Sequence, residues 1–418
     1  MDKLVITGQN KIKGSIKVHG AKNAALPILV SSLLSDQDLT LKNIPNVDDI
    51  NNMLKLLKSY GSIQRLNKNS LTINNSKIKN ISADYDIVRK MRASILILGP
   101  LLSRFGHAKI SLPGGCAIGT RPIDIHLDGL SKMGANFKIE NGFVVGRVKK
   151  KLVGNKIYLP FPSVGATENI IMASVLAEGD TIIENAAREP EVVDLGQCLI
   201  SMGAKVRGLG KKKIHIKGVS SLNETSHNII TDRIVAGTYI IMATMLNCKF
   251  EVKDFNPTHL KSLIVILKKM GCNLEVLDES VKIFPSSKLK SYKVITSPYP
   301  GFPTDLQAQL MALMTIVNGN SQIKETVFEN RFMHVPELNR LGAKIKLNKD
   351  KAFIEGGQKF KSAQVMASDL RASVSLVLAA LCSEGKTTIN RVYHLDRGYE
   401  KIENSLSKLG IKIKRVKS

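Results

Sequence analysis

The sequence predicts an α/β protein of two domains, each a bundle of helices wrapped by small sheets. Three observations carry that expectation. The chain has 418 residues, about twice what one ordinary hydrophobic core supports. A helix-ending apolar residue, a glycine and then a strand recur six times, at Gly61, Gly134, Gly203, Gly271, Gly342 and Gly410, with spacings of 73, 69, 68, 71 and 68 positions. Two kinds of helix alternate within these units of about 70 residues, one amphipathic and one almost wholly apolar.

The elements follow in order. Leu4 to Thr7 reads as a strand that opens the chain at once, with no charged-then-apolar signal region. Gly20-Ala21-Lys22-Asn23-Ala24-Ala25 opens a helix. An amphipathic helix comes next, with Ile50, Met53, Leu54 and Leu57 at helical spacing, and Gly61 can stop it in the left-handed conformation. Later apolar helices are Ile170 to Leu176, Ile234 to Leu246, Leu306 to Ile316 and Leu370 to Leu381. Most end in a turn such as Glu178-Gly179-Asp180 before a strand such as Thr181-Ile182-Ile183. Lys344-Ile345-Lys346-Leu347 alternates as a half-buried strand does.

Each unit therefore reads strand, helix, strand, helix, then a pair of strands. Three units make a domain with the apolar helices inside. The chain should cross between domains near residues 20 and 230, giving one domain of 1–21 with 231–418 and another of 22–230. In that case the first strand pairs with the last, Ile411 to Arg415, and ligands favour the cleft between domains.

Composition narrows the class. With 43% hydrophobic and 23% charged residues the chain is globular, neither disordered nor fibrous. Apolar runs such as Ser94 to Leu102 are far shorter than the roughly 18 residues a membrane span needs, and a cytoplasmic protein is expected. Five irregularly spaced cysteines make no disulfide framework and no zinc motif. Cys198, Cys248, Cys272 and Cys382 sit among apolar or small residues as core fillers. The formal charge of +26 taken alone suggests a polyanion partner. Much of it lies in clusters such as Lys149 to Lys151, Lys211 to Lys213 and the tail Lys412 to Lys417, and with 5% aromatics and no Trp there is little to stack on bases. Neither a nucleic acid nor a membrane is the expected partner, and oligomeric state is not legible.

Five segments depart from the repeat, and function is expected there. Lys22 and Asn23 open a helix, where Asn23 reads as a cap or as part of an anion site. Leu112 to His126 is a glycine- and proline-rich loop with Cys116 five residues before Arg121, and positive charge makes a thiol reactive. Pro162 to Asn169 leads into an apolar helix, and Ser163 with the Gly165 backbone could cradle a phosphate. Asp305, in Phe302-Pro303-Thr304-Asp305, is either a helix cap or a general base for a hydroxyl. Arg92, Arg331, Arg371 and Arg397 recur at matching offsets; each either binds an anion or, for Arg92 and Arg371, pairs with Asp84 or Asp369.

From end to end the chain resembles the UDP-N-acetylglucosamine 1-carboxyvinyltransferase (enolpyruvyl-UDP-GlcNAc synthase) family of the EPSP synthase superfamily. Its motifs are Gly-Ala-Lys-Asn-Ala from Gly20, Pro-Gly-Gly-Cys-Ala-Ile-Gly around Cys116, Glu-Asn-Ala-Ala-Arg-Glu-Pro-Glu from Glu184, Phe-Pro-Thr-Asp ending at Asp305, Glu-Asn-Arg-Phe-Met-His from Glu329, and Asp-Arg-Gly-Tyr-Glu from Asp396. The resemblance implies two inside-out α/β barrels (an inverse α/β prism) of three repeats each. It also implies transfer of the enolpyruvyl group of phosphoenolpyruvate to a UDP-linked amino sugar, the first committed step of peptidoglycan synthesis, with no metal or organic cofactor.

By the same resemblance Lys22, Arg121 and Arg397 would hold phosphoenolpyruvate, Asn23 would span both substrates, Arg92 and Arg371 would complete the anion cluster, and Arg331 and Asp369 would bind substrate. Arg121, Pro122, Ile123, Asp124 and Ile125 with Ser163, Val164 and Gly165 would bind the uridine diphosphate. Asp305 and the Val327 backbone would hold the sugar, Asp305 as base. Cys116 would be the general acid, able to form an adduct with phosphoenolpyruvate and to be alkylated by fosfomycin. Phe161 stands where some relatives carry a lysine, which removes one diphosphate contact, and Ile125 replaces a leucine.

Overall fold

A computed structural model of the chain describes residues 2–8, 11–78, 91–111 and 123–417. The polypeptide divides into two compact units, one running to His19 and resuming at Thr231, the other from Gly20 to Ile230. Each has its own apolar core. The first crossing falls after His19, slightly earlier than the expected boundary after residue 21, because Gly20 and Ala21 already pack with the second unit. The Ala21 amide donates to the Ile230 carbonyl at 2.7 Å, and a Cβ on Gly20 would collide with the Asn43 carbonyl oxygen.

Among the described residues each unit holds three sheets, five of the six being four-stranded and one three-stranded. One sheet shows the plan. Strands Lys156–Tyr158 and Asp180–Glu184 run parallel and flank the buried helix Val164–Ser174 in sequence. The helix Pro190–Ser201 then leads to the antiparallel pair Lys205–Arg207 and Lys213–Lys217. In two sheets the parallel neighbour is distant in sequence: Thr225–Asn228 beside Leu39–Lys42 within the 20–230 unit, and Gly14–Lys17 beside Phe250–Lys253 on either side of that unit's excursion. The strand Lys3–Thr7 lies between Lys386–Asn390 and Ile413–Val416, with Leu4 opposite Arg415. The expected pairing of first and last strands is therefore present.

Helix chemistry explains the layering. Lys22–Ser31, Leu98–Phe105 and Val164–Ser174 in one unit are buried along most of their length, as are Arg233–Met245, Gln307–Ile316 and Leu370–Cys382 in the other. They have no polar face to turn to water and so take the interior. Each Leu, Ile or Val they bury contributes about 1.5–3 kcal/mol. Asp48–Tyr60 is of the other kind: Ile50, Met53, Leu56, Leu57 and Tyr60 are buried while Asn51, Lys55 and Lys58 are exposed. It stops at Gly61, whose φ of 106° a side chain would strain; all six glycines of the period take φ between 86° and 106°.

Cys198, Cys248 and Cys272 are buried and Cys382 partly so. Burial pushes their thiols up to about 12, 11, 12 and 12 respectively, so they fill space and stay protonated at neutral pH. No helix among the described residues is long and apolar enough to cross a membrane.

Candidate active site

Asp305 lies in the short turn Thr304–Leu306 that leads into the inner helix Gln307–Ile316. No side chain caps that turn, so the cap reading of Asp305 does not hold. Its carboxylate receives two guanidinium hydrogen bonds instead. Arg331 Nη2 donates to Oδ1 at 2.6 Å and Arg371 Nη2 to Oδ2 at 2.9 Å. Both arginine side chains are 6% exposed and the carboxylate 26%. The cations are deep and the acid lies at the edge, where a hydroxyl could reach it.

Arg371 belongs to the first turn of Leu370–Cys382. Asp369 caps that helix, accepting from the amides of Arg371 at 2.8 Å and Ala372 at 3.1 Å. Asp369 therefore binds the Arg371 backbone while the guanidinium turns to Asp305, which corrects the side-chain pairing weighed from sequence. Burial opposes the Arg371 charge, but Asp305, Tyr399 and Asp232 together outweigh it and the guanidinium holds its proton more tightly than usual. Beside it, burial lowers His334 to about 4 against the pull of Asp369, so that imidazole is neutral.

Glu325, which no motif marked, organises the adjoining loop. Its buried carboxylate accepts from Thr296 Oγ1 at 2.8 Å, Thr304 Oγ1 at 2.9 Å, and the amides of Val327 at 2.8 Å and Phe328 at 3.2 Å. Thr304, the neighbour of Asp305, is thus tied to the loop that carries Val327. The Val327 amide is engaged, leaving its carbonyl as the backbone group for a ligand. Arg397 follows the short helix Tyr393–Asp396 and is half-buried. Arg415 of the last strand grips that turn, donating to Asp396 at 2.6 and 2.9 Å and to Glu403 at 2.7 Å.

In the other unit Lys22 opens the helix Lys22–Ser31, whose N-cap is Ala21 with no side-chain cap; Asn23 sits in the first turn and is not the cap. Lys22 Nζ lies 3.0 Å from Asp49 Oδ2, with side-chain exposures of 10% and 4%. Nothing in the sequence around Asp49 signalled this partner, since Asp48-Asp49 reads as ordinary acid in a helix's first turn.

Ser163 caps Val164–Ser174 by accepting from the Ala166 amide at 3.3 Å. The first amides of a helix have no acceptor within it and favour an anion. Asn169 Oδ1 accepts from the Gly99 amide at 2.7 Å, so its Nδ2 faces the Ile95 carbonyl and His126 Nδ1, each at 3.1 Å. Nδ1 must then accept, which puts the neutral ring's proton on Nε2. Burial, aided by the Arg92 charge, lowers His126 to about 4. A Cβ on Gly165 would sit 3.2 Å from His126 Cε1. The ring therefore bridges the helix that Ile123, Asp124 and Ile125 begin to the Ser163, Val164, Gly165 turn, and the two stretches read as one nucleotide site are neighbours. Phe161 is exposed and supplies no cation there. Cys116, Arg121 and Pro122, with Asp84, lie outside the described residues. Among the described residues no group of three or more His, Cys, Asp or Glu is placed to hold a metal ion.

Comparison with known proteins adds three findings. A family model described as EPSP synthase (3-phosphoshikimate 1-carboxyvinyltransferase) matches residues 6–406. The UDP-N-acetylglucosamine 1-carboxyvinyltransferase of Pelagibacter ubique is 52% identical over 416 residues, covering 100% of both chains. That of Granulibacter bethesdensis is 49% identical over 418 residues with the same coverage. Among solved structures, the enolpyruvyl transferase NikO from Streptomyces tendae aligns with a TM-score of 0.90 at 23% identity, over 100% of this chain and 99% of that one. EPSP synthase from Acinetobacter baumannii gives 0.78 at 19%, over 100% of both. At such identities these two structures establish the fold, a two-domain inside-out α/β architecture, and no more.

Proposed function

Because this chain belongs to the EPSP synthase family, and is about half identical along its whole length to enzymes named UDP-N-acetylglucosamine 1-carboxyvinyltransferase, we propose that it transfers the enolpyruvyl group of phosphoenolpyruvate to the 3′-hydroxyl of UDP-N-acetylglucosamine. Phosphate is released, and the reaction is the first committed step of peptidoglycan synthesis. Both substrates are small and cytoplasmic, and the protein acts in that compartment.

The observation that supports the chemistry best is the Asp305 carboxylate, accessible at its edge and gripped by two buried guanidinium groups. Asp305 takes the proton of the sugar hydroxyl as its oxygen bonds to the central carbon of phosphoenolpyruvate. An acid, assigned to Cys116, protonates the methylene carbon. The tetrahedral adduct then loses a proton from that carbon, re-forms the double bond and expels phosphate. Lys22, Arg121 and Arg397 are assigned to the phosphoenolpyruvate anion, with Arg92, Arg331 and Arg371 adding positive charge and Asn23 contacting both substrates. Arg121 to Ile125 and Ser163 to Gly165 are assigned to the uridine diphosphate, where the capped helix start supplies amides and His126 keeps the two stretches together. Asp305 and the Val327 carbonyl are assigned to the sugar. Fixed cations that face the oxyanions stabilise them more than reorganising water does. The steps balance without an electron carrier.

The test is phosphate release from phosphoenolpyruvate with each of two acceptors. Turnover dependent on UDP-N-acetylglucosamine is expected. Turnover with 3-phosphoshikimate alone would overturn the acceptor assignment. In the same assay, Cys116→Ser is expected to abolish inactivation by fosfomycin, and an unchanged inactivation rate removes Cys116 from the site.

A further inference from the structure

Two cross-links join the stretch that carries Asp305 to the stretch that carries Val327 and Arg331. The outer one is the ion pair of Arg331 Nη2 with Asp305 Oδ1 at 2.6 Å. The inner one is Glu325, a buried acid that divides its two oxygens between the stretches. Oε1 accepts from the amides of Val327 at 2.8 Å and Phe328 at 3.2 Å, and from Thr296 Oγ1 at 2.8 Å. Oε2 accepts from Thr304 Oγ1 at 2.9 Å, and Thr304 is the residue before Asp305. A circuit runs from Glu325 through Thr304, Asp305 and Arg331 and returns along the chain to Phe328 and Val327.

An acid that accepts from the amides two and three positions further on is an ordinary turn cap, and Oε1 by itself does little more. Oε2 does something else, because it reaches back 21 positions to the segment of the base. The donors are unambiguous. Amides only donate, and Thr296 Oγ1 already accepts from the Thr326 amide at 2.9 Å, which leaves its proton for Glu325. A carboxylate can accept at both ends, whereas a side-chain amide of the same shape accepts at one. The Phe328 amide belongs to the same planar peptide as the Val327 carbonyl, and in a trans peptide the two point in opposite directions. By holding that N–H, Glu325 turns the Val327 carbonyl away from itself.

Resting on the activity proposed above, we infer that Glu325 is the positioning residue that sets the two groups assigned to the amino sugar, the Asp305 carboxylate and the Val327 carbonyl, relative to each other. Glu325 touches no substrate in this account; it acts through the Thr304 hydroxyl and the Phe328 amide. Its loss should impair use of the UDP-sugar and leave phosphoenolpyruvate binding nearly alone.

The test is Glu325→Gln, which keeps the side chain's shape and removes one acceptor. An intact fold, checked by thermal unfolding, is expected with kcat/KM for UDP-N-acetylglucosamine reduced about ten- to a hundredfold, the range for losing a hydrogen bond to a charged group, while KM for phosphoenolpyruvate moves less than about threefold. Thr304→Val cuts only the Oε2 bond and should reproduce much of the loss; Thr304→Ser should restore activity, because serine returns the hydroxyl. Unchanged kcat/KM in Glu325→Gln, or equal losses in Thr304→Val and Thr304→Ser, overturns the inference. A readout independent of turnover separates this from failure of the activity itself. Thr304→Val alters nothing within residues 325–331, yet hydrogen exchange followed by mass spectrometry is expected to show the Val327 and Phe328 amides exchanging severalfold faster, because their loop has lost a tie. If the unaltered chain turns over neither acceptor, the proposed activity falls while exchange still decides whether Glu325 couples the two stretches; equal exchange in both proteins sinks the coupling alone.

Discussion

The Asp305 cluster of one unit and the Lys22–Asp49 pair of the other place charge at the same kind of position, the start of an all-apolar inner helix, with opposite polarity. At Asp305 the deep members are cations, two arginines 6% exposed, and the outer member is an acid at 26%. At Lys22 the deep member is an acid at 4% and the outer one an ammonium at 10%. In each case the buried partner holds the outer group in place through a direct ion pair. The outer group is the one a ligand can meet. One unit thus presents a carboxylate and the other an ammonium, the two charges that the proposed activity asks of a base and of an anion's partner.

The largest effect that would break this comparison is at the base. Asp305→Ala should lower kcat by about a hundred- to ten-thousandfold while part of the UDP-sugar affinity persists; near-normal rates with intact arginines would end the role of Asp305. Next comes the deep acid. Asp49→Ala strands the Lys22 ammonium with less compensation, and a loss of about 3–5 kcal/mol in denaturant unfolding is expected, as for a buried pair cut on one side. A loss below about 1 kcal/mol would show that Lys22 is held mainly by its other contacts.

A smaller effect distinguishes neutral from charged support. His126 and His334 are each lowered by burial from 6.5 to about 4. The unfolded chain therefore binds more protons than the folded one between those values, so stability falls as pH drops through that window and levels off below it. Each histidine should contribute a slope of about 1.4 kcal/mol per pH unit. Unfolding measured from pH 6.5 to 5, above most carboxylates, should show His126→Gln with a slope shallower by one proton; an unchanged slope would mean His126 is already charged. The least effect is expected at the four described cysteines, whose raised thiols should resist a thiol reagent at pH 7 in the folded chain, as mass spectrometry can record.

What the sequence disclosed about this comparison was uneven. The units were legible because a left-handed glycine after an apolar helix end is a local requirement, met six times from Gly61 to Gly410. Asp305, Lys22 and Ser163 were legible as breaks in that pattern. Their partners were not. Arg331 and Arg371 reach Asp305 from 26 and 66 positions away, and Asp49 and Glu325 look like an ordinary helix acid and a loop acid until the fold closes around them. The cap alternative for Asn23 failed because a cap depends on which residue leaves helical geometry first, and here that is Ala21.

The doubled crossing of the chain has a temporal consequence. The stretch from Gly20 to Ile230 can complete its three sheets as soon as it has left the ribosome, whereas Gly14–Lys17 must wait for Phe250–Lys253 and Lys3–Thr7 for both Lys386–Asn390 and Ile413–Val416. At about 5–20 residues per second, the earliest-made strand has no partner for roughly twenty seconds or more. During synthesis it is a tethered, unpaired edge, and the unit that carries Asp305 closes only once Ile413–Val416 has been made.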